Sequence, residues 1–218
     1  MPDYTQATGS GAGSTFPMTA DTLNRAYDPN IGPAVMAMQT YYGGYTGPTS
    51  LTNVVSQSFP DELATSSLTA TAGTVFASIF TLAAGTILNN ISIVNAVTAT
   101  STPTHQWGGI ATFATTSKVL AVTADTTTAV IAADAVQTFA FATPYVVPTS
   151  GLYYIFFCIA GTTGPTLAAA VTLGTHGRGN VAPFNSGPCA TGQTTVLAVA
   201  STFTQPTAAA AAPLIYLS

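Results

Sequence analysis

Short apolar segments follow one another from about residue 66 to residue 218, and most of them are bounded by Gly, Pro or Asn. In one segment Ile87, Ile91, Ile93 and Val97 share one parity, which indicates a strand with a period of two residues. Residues 152–160 are apolar at both parities, so we expect that strand to be buried on both faces and central in a sheet. Further strands are predicted at residues 74–82, 106–114, 119–123, 139–142, 167–173, 195–203 and 214–217.

The spacing of these strands, about nine in number, predicts an antiparallel, jelly-roll-like β-sandwich over residues 63–218. Residues 115–118 are predicted to form a hairpin-like connection between two strands. Helices do not alternate with the strands as βαβ units require, and residues 129–135 are predicted to form at most one short helical turn. The predicted fold class is therefore all-β, with Phe, Ile, Val and Tyr inside and Thr outside.

Residues 1–62 lack the period of the later strands. Residues 1–18 are rich in Gly, Ser and Thr and are expected to be extended, whereas residues 19–27 predict a two-turn helix that ends at Asp28-Pro29. Residues 31–60 contain three prolines and a cluster of tyrosines among glycines. We interpret residues 1–62 as an extended N-terminal docking arm with at most one short helix; the alternative is a loop that packs on its own domain. The candidate docking side chains are Leu23, Tyr27, Tyr41, Tyr42 and Tyr45.

Charged residues make up only 5% of the chain, whereas an ordinary soluble domain has roughly 25%. A protein that binds nucleic acid through phosphate contacts needs clustered Lys and Arg, and this chain has three basic residues in all. Coiled coils and long solvated helices are excluded because they are rich in Glu, Lys and Arg. Ordinary disorder is not expected either, since hydrophobic residues make up 47% of the chain.

The few charges are unevenly distributed. Residues 1–62 hold five acids and one base, which accounts for the entire net charge of −4. Residues 63–218 hold only Lys118, Asp125, Asp134 and Arg178, two of each sign. Soluble monomers normally use surface charge to stay dispersed, so a neutral body of this kind favours a protein that is fixed in a larger assembly.

The high mean hydropathy of +0.43 does not predict a membrane protein. A spanning helix needs about 20 consecutive apolar residues, and the longest strongly apolar stretch is Leu152–Ala160. The sequence opens with Met-Pro-Asp-Tyr-Thr-Gln, which has no basic and no apolar region, so we expect no secretory signal.

The chain offers few residues for chemistry, and we expect no enzymatic activity. Asp125 and Asp134 are the only acids after residue 62, and neither context indicates the paired carboxylates of a glycosidase. His105, His176, Cys158 and Cys189 are the whole supply of His and Cys and show no ligand spacing, so no metal and no cofactor is expected.

The two cysteines are predicted to have different surroundings. Cys158 lies in an apolar strand and Cys189 in a segment that is typical of a loop, so a disulfide between them is not favoured. Cys189 with His176 has the residue types of a nucleophile and its base, but no third group is marked that would orient the base.

Two features could serve binding. Trp107 is the only tryptophan and stands at the start of a predicted strand, where it could stack on a sugar ring or pack in the core. The Gly-rich residues 175–192 could contact a partner or form an irregular connection. The candidate contacts with a partner or glycan are therefore Trp107, His105, His176 and Arg178.

Residues 66–218 resemble a β-sandwich module of structural proteins from tailed phages of actinobacteria, where it occurs in minor tail and head-surface proteins. The matching features, in order, are residues 80–87 (FTLAAGTI), the Trp107 strand, residues 118–121 (KVLA), 142–146 (ATPYV), 149–154 (TSGLYY) and 214–218 (LIYLS). The resemblance implies a structural or adhesive role and carries over no catalytic residue. Residues 1–62 match nothing in it.

The resemblance implies a virion structural protein, and the short arm with one globular module favours a capsid decoration protein over a long tail fibre. The alternative is a minor tail protein or a receptor- or carbohydrate-binding adhesion module. Expected partners are the major capsid or tail proteins, further copies of the chain as a homo-oligomer such as a trimer, and a host cell-surface glycan. We expect the protein at the virion surface after assembly in the host cytoplasm, with no nucleic-acid or membrane partner.

Overall fold

The computed structural model describes residues 54–59, 63–96, 102–127, 132–171, 186–207 and 209–218. The predicted helix at 19–27, the five candidate docking residues of the arm, His176 and Arg178 lie outside the described residues. The described part of the chain contains β-strands and no α-helix. None of its elements is a helix long and apolar enough to cross a membrane.

The strands of the described residues fall into two antiparallel sheets, and they are longest between residues 75 and 160. In chain order they are β1 (Ser56–Gln57), β2 (Ser66–Thr69), β3 (Val75–Leu82), β4 (Ile87–Asn95), β5 (His105–Thr112), β6 (Thr116–Val122), β7 (Ala135–Val146), β8 (Gly151–Ala160), β9 (Thr166–Val171), β10 (Gly187–Ala190), β11 (Thr202–Thr204), β12 (Ala211–Pro213) and β13 (Ile215–Leu217).

The first sheet has seven strands, with the order β1-β13-β4-β9-β12, while β2 pairs with β9 and β7 pairs with β4. The second sheet has six strands in the order β10-β3-β8-β5-β6-β11. The two sheets pack face to face, and the apolar side chains between them form what we call the inner cluster. This arrangement confirms the predicted all-β antiparallel sandwich.

Strand β8 is central in the six-stranded sheet, as predicted from its apolar residues at both parities. It pairs along its length with β3 on one side and β5 on the other. Successive side chains of a strand point to opposite faces. The Phe157 side chain therefore joins the inner cluster, where its ring stacks on Phe76 with centroids 5.8 Å apart, and the neighbouring Phe156 points away from the other sheet.

The outer face of the six-stranded sheet carries a second apolar cluster, which we call the outer cluster. It contains, among others, Trp107, Tyr154 and Phe156, all three of them fully buried. Val196 and Leu197, from an irregular segment between β10 and β11, pack against this cluster. The described part of the molecule thus has three layers at this place: a sheet, a second sheet and an irregular cover.

This cover corrects one prediction. A strand was expected at residues 195–203, but only Thr202–Thr204 form strand β11, and residues 191–201 are irregular. An apolar face is needed both by an edge strand and by a segment that lies over a sheet, so the sequence pattern could not separate the two.

The surroundings of Cys189 are a second correction. Cys189 was predicted to lie in a loop, but it belongs to β10, which pairs with β3 at the edge of the six-stranded sheet. Proline is tolerated in an edge strand because no neighbour needs its missing N–H, which explains why Pro188 does not prevent pairing.

The connection before β7 differs from the predicted helical turn at residues 129–135. Its first residues lie outside the described ones, and residues 133–134 form a turn. Asp134 has φ 51°, which is left-handed and incompatible with an α-helical residue. The predicted hairpin after β5 is present, but its bend lies at residues 113–115 and not at 115–118, since residues 116–118 belong to β6.

Strand β1 lies within the stretch that was predicted to be the arm. Val55 N donates to Leu217 O at 2.8 Å, and Ser58 N donates to Ile215 O at 2.9 Å. The Ser58 hydroxyl donates to Pro213 O at 3.0 Å and accepts from Ile215 N at 3.0 Å. Residues 54–59 are therefore an edge of the seven-stranded sheet.

Candidate functional site

The predicted contact residue His105 is paired with Asp125, an acid whose sequence context indicated no paired carboxylates. His105 is the first residue of β5, and Asp125 follows the end of β6. The two strands form an antiparallel hairpin, so the start of one lies beside the end of the other. His105 Nδ1 and Asp125 Oδ2 are 2.5 Å apart.

The other carboxylate oxygen of Asp125 is held by the backbone. Asp125 Oδ1 accepts from Gln106 N at 2.9 Å and from Thr127 N at 2.8 Å. Burial of the carboxyl by itself would raise the pKa of Asp125, but the hydrogen bonds from His105, Gln106 and Thr127 outweigh it and lower the pKa below 3.8. Asp125 is therefore ionised near neutral pH, and an ionised carboxylate can only accept hydrogen bonds.

This geometry fixes the protonation of the histidine ring. Since Asp125 accepts, His105 Nδ1 carries a proton, and in the neutral ring Nε2 is left with a lone pair. The His105 side chain is 36% exposed and that of Asp125 is 19% exposed. The pair is thus a surface imidazole whose ring is oriented by a carboxylate. This arrangement suits a general base, a metal ligand or a hydrogen-bonded link between two segments.

The hydrogen bond between His105 and Asp125 has a clear structural effect. Residues 123–127, which we call the strap, contact both sheets. Thr126 N donates to Gln106 O on β5 at 2.9 Å, and Ala124 N donates to Ala140 O on β7 at 2.9 Å. The strap therefore joins β5 of the six-stranded sheet to β7 of the seven-stranded sheet, and Asp125 holds the strap against β5.

Catalysis and metal binding need more groups than this pair supplies. Among the described residues, no set of three or more His, Cys, Asp or Glu side chains could hold a metal ion. The other candidate pair, Cys189 with His176, has one member outside the described residues. Cys189 Sγ donates to Val75 O at 3.4 Å, and burial raises the pKa of its thiol to about 12, so the thiol is protonated at neutral pH.

Cys158 and Cys189 are both free. They lie on β8 and β10, and β3 lies between these two strands. Neighbouring strands are about 4.8 Å apart, so two strand spacings place the backbones roughly 10 Å from each other. A disulfide needs Cα atoms within about 7 Å, and this fold therefore does not form one between them.

Trp107 lies on the outer face of β5 and has no exposed surface. It is paired across the sheet with Cys158 of β8. The ring therefore packs in the outer cluster and offers no face to a sugar in this structure. Its indole N–H is buried and has no hydrogen-bond partner among the described residues, a feature that sequence reasoning had no means to detect.

Gly109 gives the outer cluster its aromatic packing. Gly109 pairs with Phe156, and a Cβ at Gly109 would lie 2.3 Å from Phe156 Cζ and 2.6 Å from Ala121 O. The missing side chain thus leaves room for the Phe156 ring, which also meets the Phe203 ring edge-on at 5.5 Å. Cross-strand Gly–aromatic pairs of this kind are a recurrent way of packing an aromatic ring over a glycine.

Of the four predicted contact residues, the structure places His105 at the surface and Trp107 in the core, and the other two lie outside the described residues. Asp125 was the residue that sequence reasoning missed. The signal was available, because an antiparallel hairpin with β5 and β6 as its strands brings residues 105 and 125 together.

No protein-family model matches the chain, and a search of curated proteins finds no match. The functional argument therefore depends on the residues themselves.

Proposed function

We propose that this protein is a structural component of the virion of a tailed bacteriophage, and specifically a head-surface decoration protein. Residues 1–53 attach it to the particle, and the β-sandwich is displayed at the surface. The observation that carries the proposal is the distribution of charge: the entire net charge of −4 belongs to residues 1–62, and residues 63–218 are neutral with four charged residues.

The neutral body supports a fixed position in an assembly. A free protein with so few charges has little electrostatic repulsion to keep its copies apart. In a virion the copies are held in place, and a neutral surface rich in Thr, Ser and Ala carries no such penalty. Exposed strand residues of this type, including Thr138, Ala140, Ala142 and Thr143 on β7, fit that role.

The described chemistry supports a structural role more than a catalytic one. The one carboxylate–imidazole pair of the described residues is used to hold the strap between two sheets. Both thiols have pKa values raised to about 12 by burial, which keeps them unreactive. We therefore propose a structural role, for which no catalytic residue and no cofactor is needed.

The sequence resemblance to phage β-sandwich proteins supports the same assignment and adds the alternative of a minor tail or adhesion protein. An adhesive role at the predicted contact site would depend on His105, because it is the exposed member of the described pair of candidates. We favour the decoration role, since the described residues form one sandwich and the sequence contains no fibrous repeat.

Mass spectrometry of purified virions tests the proposal. We expect the protein at a fixed ratio to the major capsid protein, and immunogold labelling on the head. Labelling confined to the tail would replace the decoration role by the tail role. Absence of the protein from virions would end the proposal in both forms.

A further inference from the structure

Among the described residues, the backbone of the segment that covers the outer cluster is hydrogen-bonded to the sheet only near its two ends. We call residues 193–199 the lid. At one end Gln193 N donates to Gly73 O on the β3 side at 2.8 Å, and just past the other end Ala200 N donates to Val119 O on β6 at 2.9 Å. Within the described chain, no backbone N–H of residues 194–199 donates a hydrogen bond. The lid therefore crosses the sheet without a ladder of its own.

Left-handed residues flank the lid. Gly192 has φ 69°, a left-handed conformation that glycine adopts as readily as a right-handed one, so it is suited to a change of chain direction. Ala200 has φ 71°, which an alanine adopts only when its surroundings impose it. These two residues are suitable hinges at which the lid could turn as a unit.

The lid is held down mainly by two side chains. Val196 and Leu197 pack on the outer cluster and are partly buried, whereas Val199 is 58% exposed. A segment with two apolar anchors and no backbone ladder opens at a lower free energy than the strands on either side of it.

A polar group without a partner lies in the cluster that the lid covers. The Trp107 side chain is 0% exposed, and its Nε1 has no hydrogen-bond partner among the described residues. A buried N–H without an acceptor is destabilising and is rare in native proteins. Apolar side chains and one free donor together form the usual lining of a small-molecule site.

We propose that the lid closes a binding site for a small, neutral, apolar molecule that carries one hydrogen-bond acceptor. The molecule lies against the outer cluster when the lid opens, and its acceptor binds the Trp107 N–H. A neutral ligand is indicated because none of the side chains in the described cluster is charged at neutral pH: burial raises the pKa of Tyr154, Cys158 and Cys189 to about 12. The proposal is independent of the virion assignment.

Prodan, a neutral naphthalene ketone, is a suitable probe because it combines an aromatic body with one carbonyl acceptor. Trp107 is the only tryptophan, so its fluorescence reports on this site alone. We expect saturable quenching of Trp107 emission by prodan with one site per chain. Quenching that never saturates would overturn the proposal.

The hydrogen bond is tested by changing each partner separately. Trp107→Phe keeps the aromatic ring and removes the donor, and its binding is followed by prodan emission. We expect the affinity to fall about tenfold, which is the size of one hydrogen bond. 2-Dimethylaminonaphthalene lacks the ketone and should bind the unaltered protein about tenfold more weakly than prodan. This second comparison applies even if Trp107→Phe does not fold; equal affinities in it would overturn the role of Trp107.

The lid is tested with a matched pair of variants. Leu197→Ala removes an anchor of the lid, and Val199→Ala removes an exposed side chain of the same segment. We expect Leu197→Ala to increase both the acrylamide quenching of Trp107 and the rate of prodan binding several-fold, and Val199→Ala to change neither. Equal rates in the two variants would show that prodan does not enter through the lid.

Discussion

The two faces of the six-stranded sheet are both apolar, but they are covered in different ways. On the inner face Phe157 packs against a second sheet, whose side chains are fixed by their own ladder. On the outer face Phe156 belongs to a cluster against which an irregular segment packs, and the backbone of that segment is hydrogen-bonded at its ends. We infer from this difference that β8 contributes to a more rigid core on its inner face and a less rigid core on its outer face, a distinction that the hydrophobic pattern alone does not reveal.

The largest expected effects come from truncating the two neighbouring phenylalanines. Both are 0% exposed, so each change to alanine removes a fully buried ring. We expect Phe157→Ala to lower the free energy of unfolding by about 5 kcal/mol and Phe156→Ala by about 3 kcal/mol, because the lid can settle into the space and a second sheet cannot. Denaturant titration measures both values. An equal or larger loss for Phe156→Ala would contradict the difference in rigidity.

Two adjacent glycines on opposite faces sharpen the same comparison. A Cβ at Gly109 would lie 2.6 Å from the backbone oxygen of Ala121, which cannot move without disturbing β6. A Cβ at Gly108 would lie 3.1 Å from both Ile91 Cδ1 and the backbone oxygen of Phe156, a tight contact that shifts of a few tenths of an ångström relieve. We expect Gly109→Ala to lower the free energy of unfolding by about 3 kcal/mol and Gly108→Ala to lower it by about 1 kcal/mol or less. Thermal unfolding of both variants measures the two losses of stability. A larger loss for Gly108→Ala than for Gly109→Ala would refute this account of the outer face.

The strap between the sheets depends on pH, whereas the two clusters do not. The folded state lowers the pKa of Asp125, so its contribution to stability is complete above pH 3.8 and is lost as the pH falls through the lower folded value. We expect Asp125→Asn to lower the free energy of unfolding by about 2 kcal/mol at pH 7 and by progressively less below pH 4. The exposed acid Asp134 is the control, and Asp134→Asn should change stability by less than about 0.5 kcal/mol. A cost for Asp125→Asn that is the same at both pH values would show that the ionised carboxylate is not the cause.

The smallest effect concerns the cysteines. Burial raises the pKa of both Cys158 and Cys189 to about 12, and the nucleophilic thiolate is therefore scarce at pH 8. We expect Ellman's reagent to react slowly with the native protein and to titrate two thiols after denaturation. Rapid reaction of one thiol in the native state would indicate that the outer cluster is open more often than its packing implies.

Much of the fold could be predicted because strands leave a period-two pattern. The central position of β8 followed from its apolar residues at both parities, and that prediction is confirmed. The strand expected at 195–203 was wrong because Val196 and Leu197 give the lid the same apolar face that a strand would need. Strand β10 was missed since Gly187 and Pro188 are typical of loops and its pairing with β3 depends on residues far away in sequence.

The candidate site could be predicted only in part. His105 was selected from the sequence, but its partner Asp125 comes from the hairpin register and not from a motif. The buried indole N–H of Trp107 could not be predicted, because a missing hydrogen bond is a property of three-dimensional packing.

The central claim is that the residues preceding β1 attach an otherwise inert sandwich to a virion. The deletion that tests it ends at residue 53, because residues 54–59 belong to the sheet. Purified full-length protein and the variant lacking residues 1–53 are added to particles assembled without the protein, after circular dichroism shows that both are folded. The account predicts saturable binding of the full-length protein and none of the variant. Equal binding of the two proteins, or no binding by either, would contradict it.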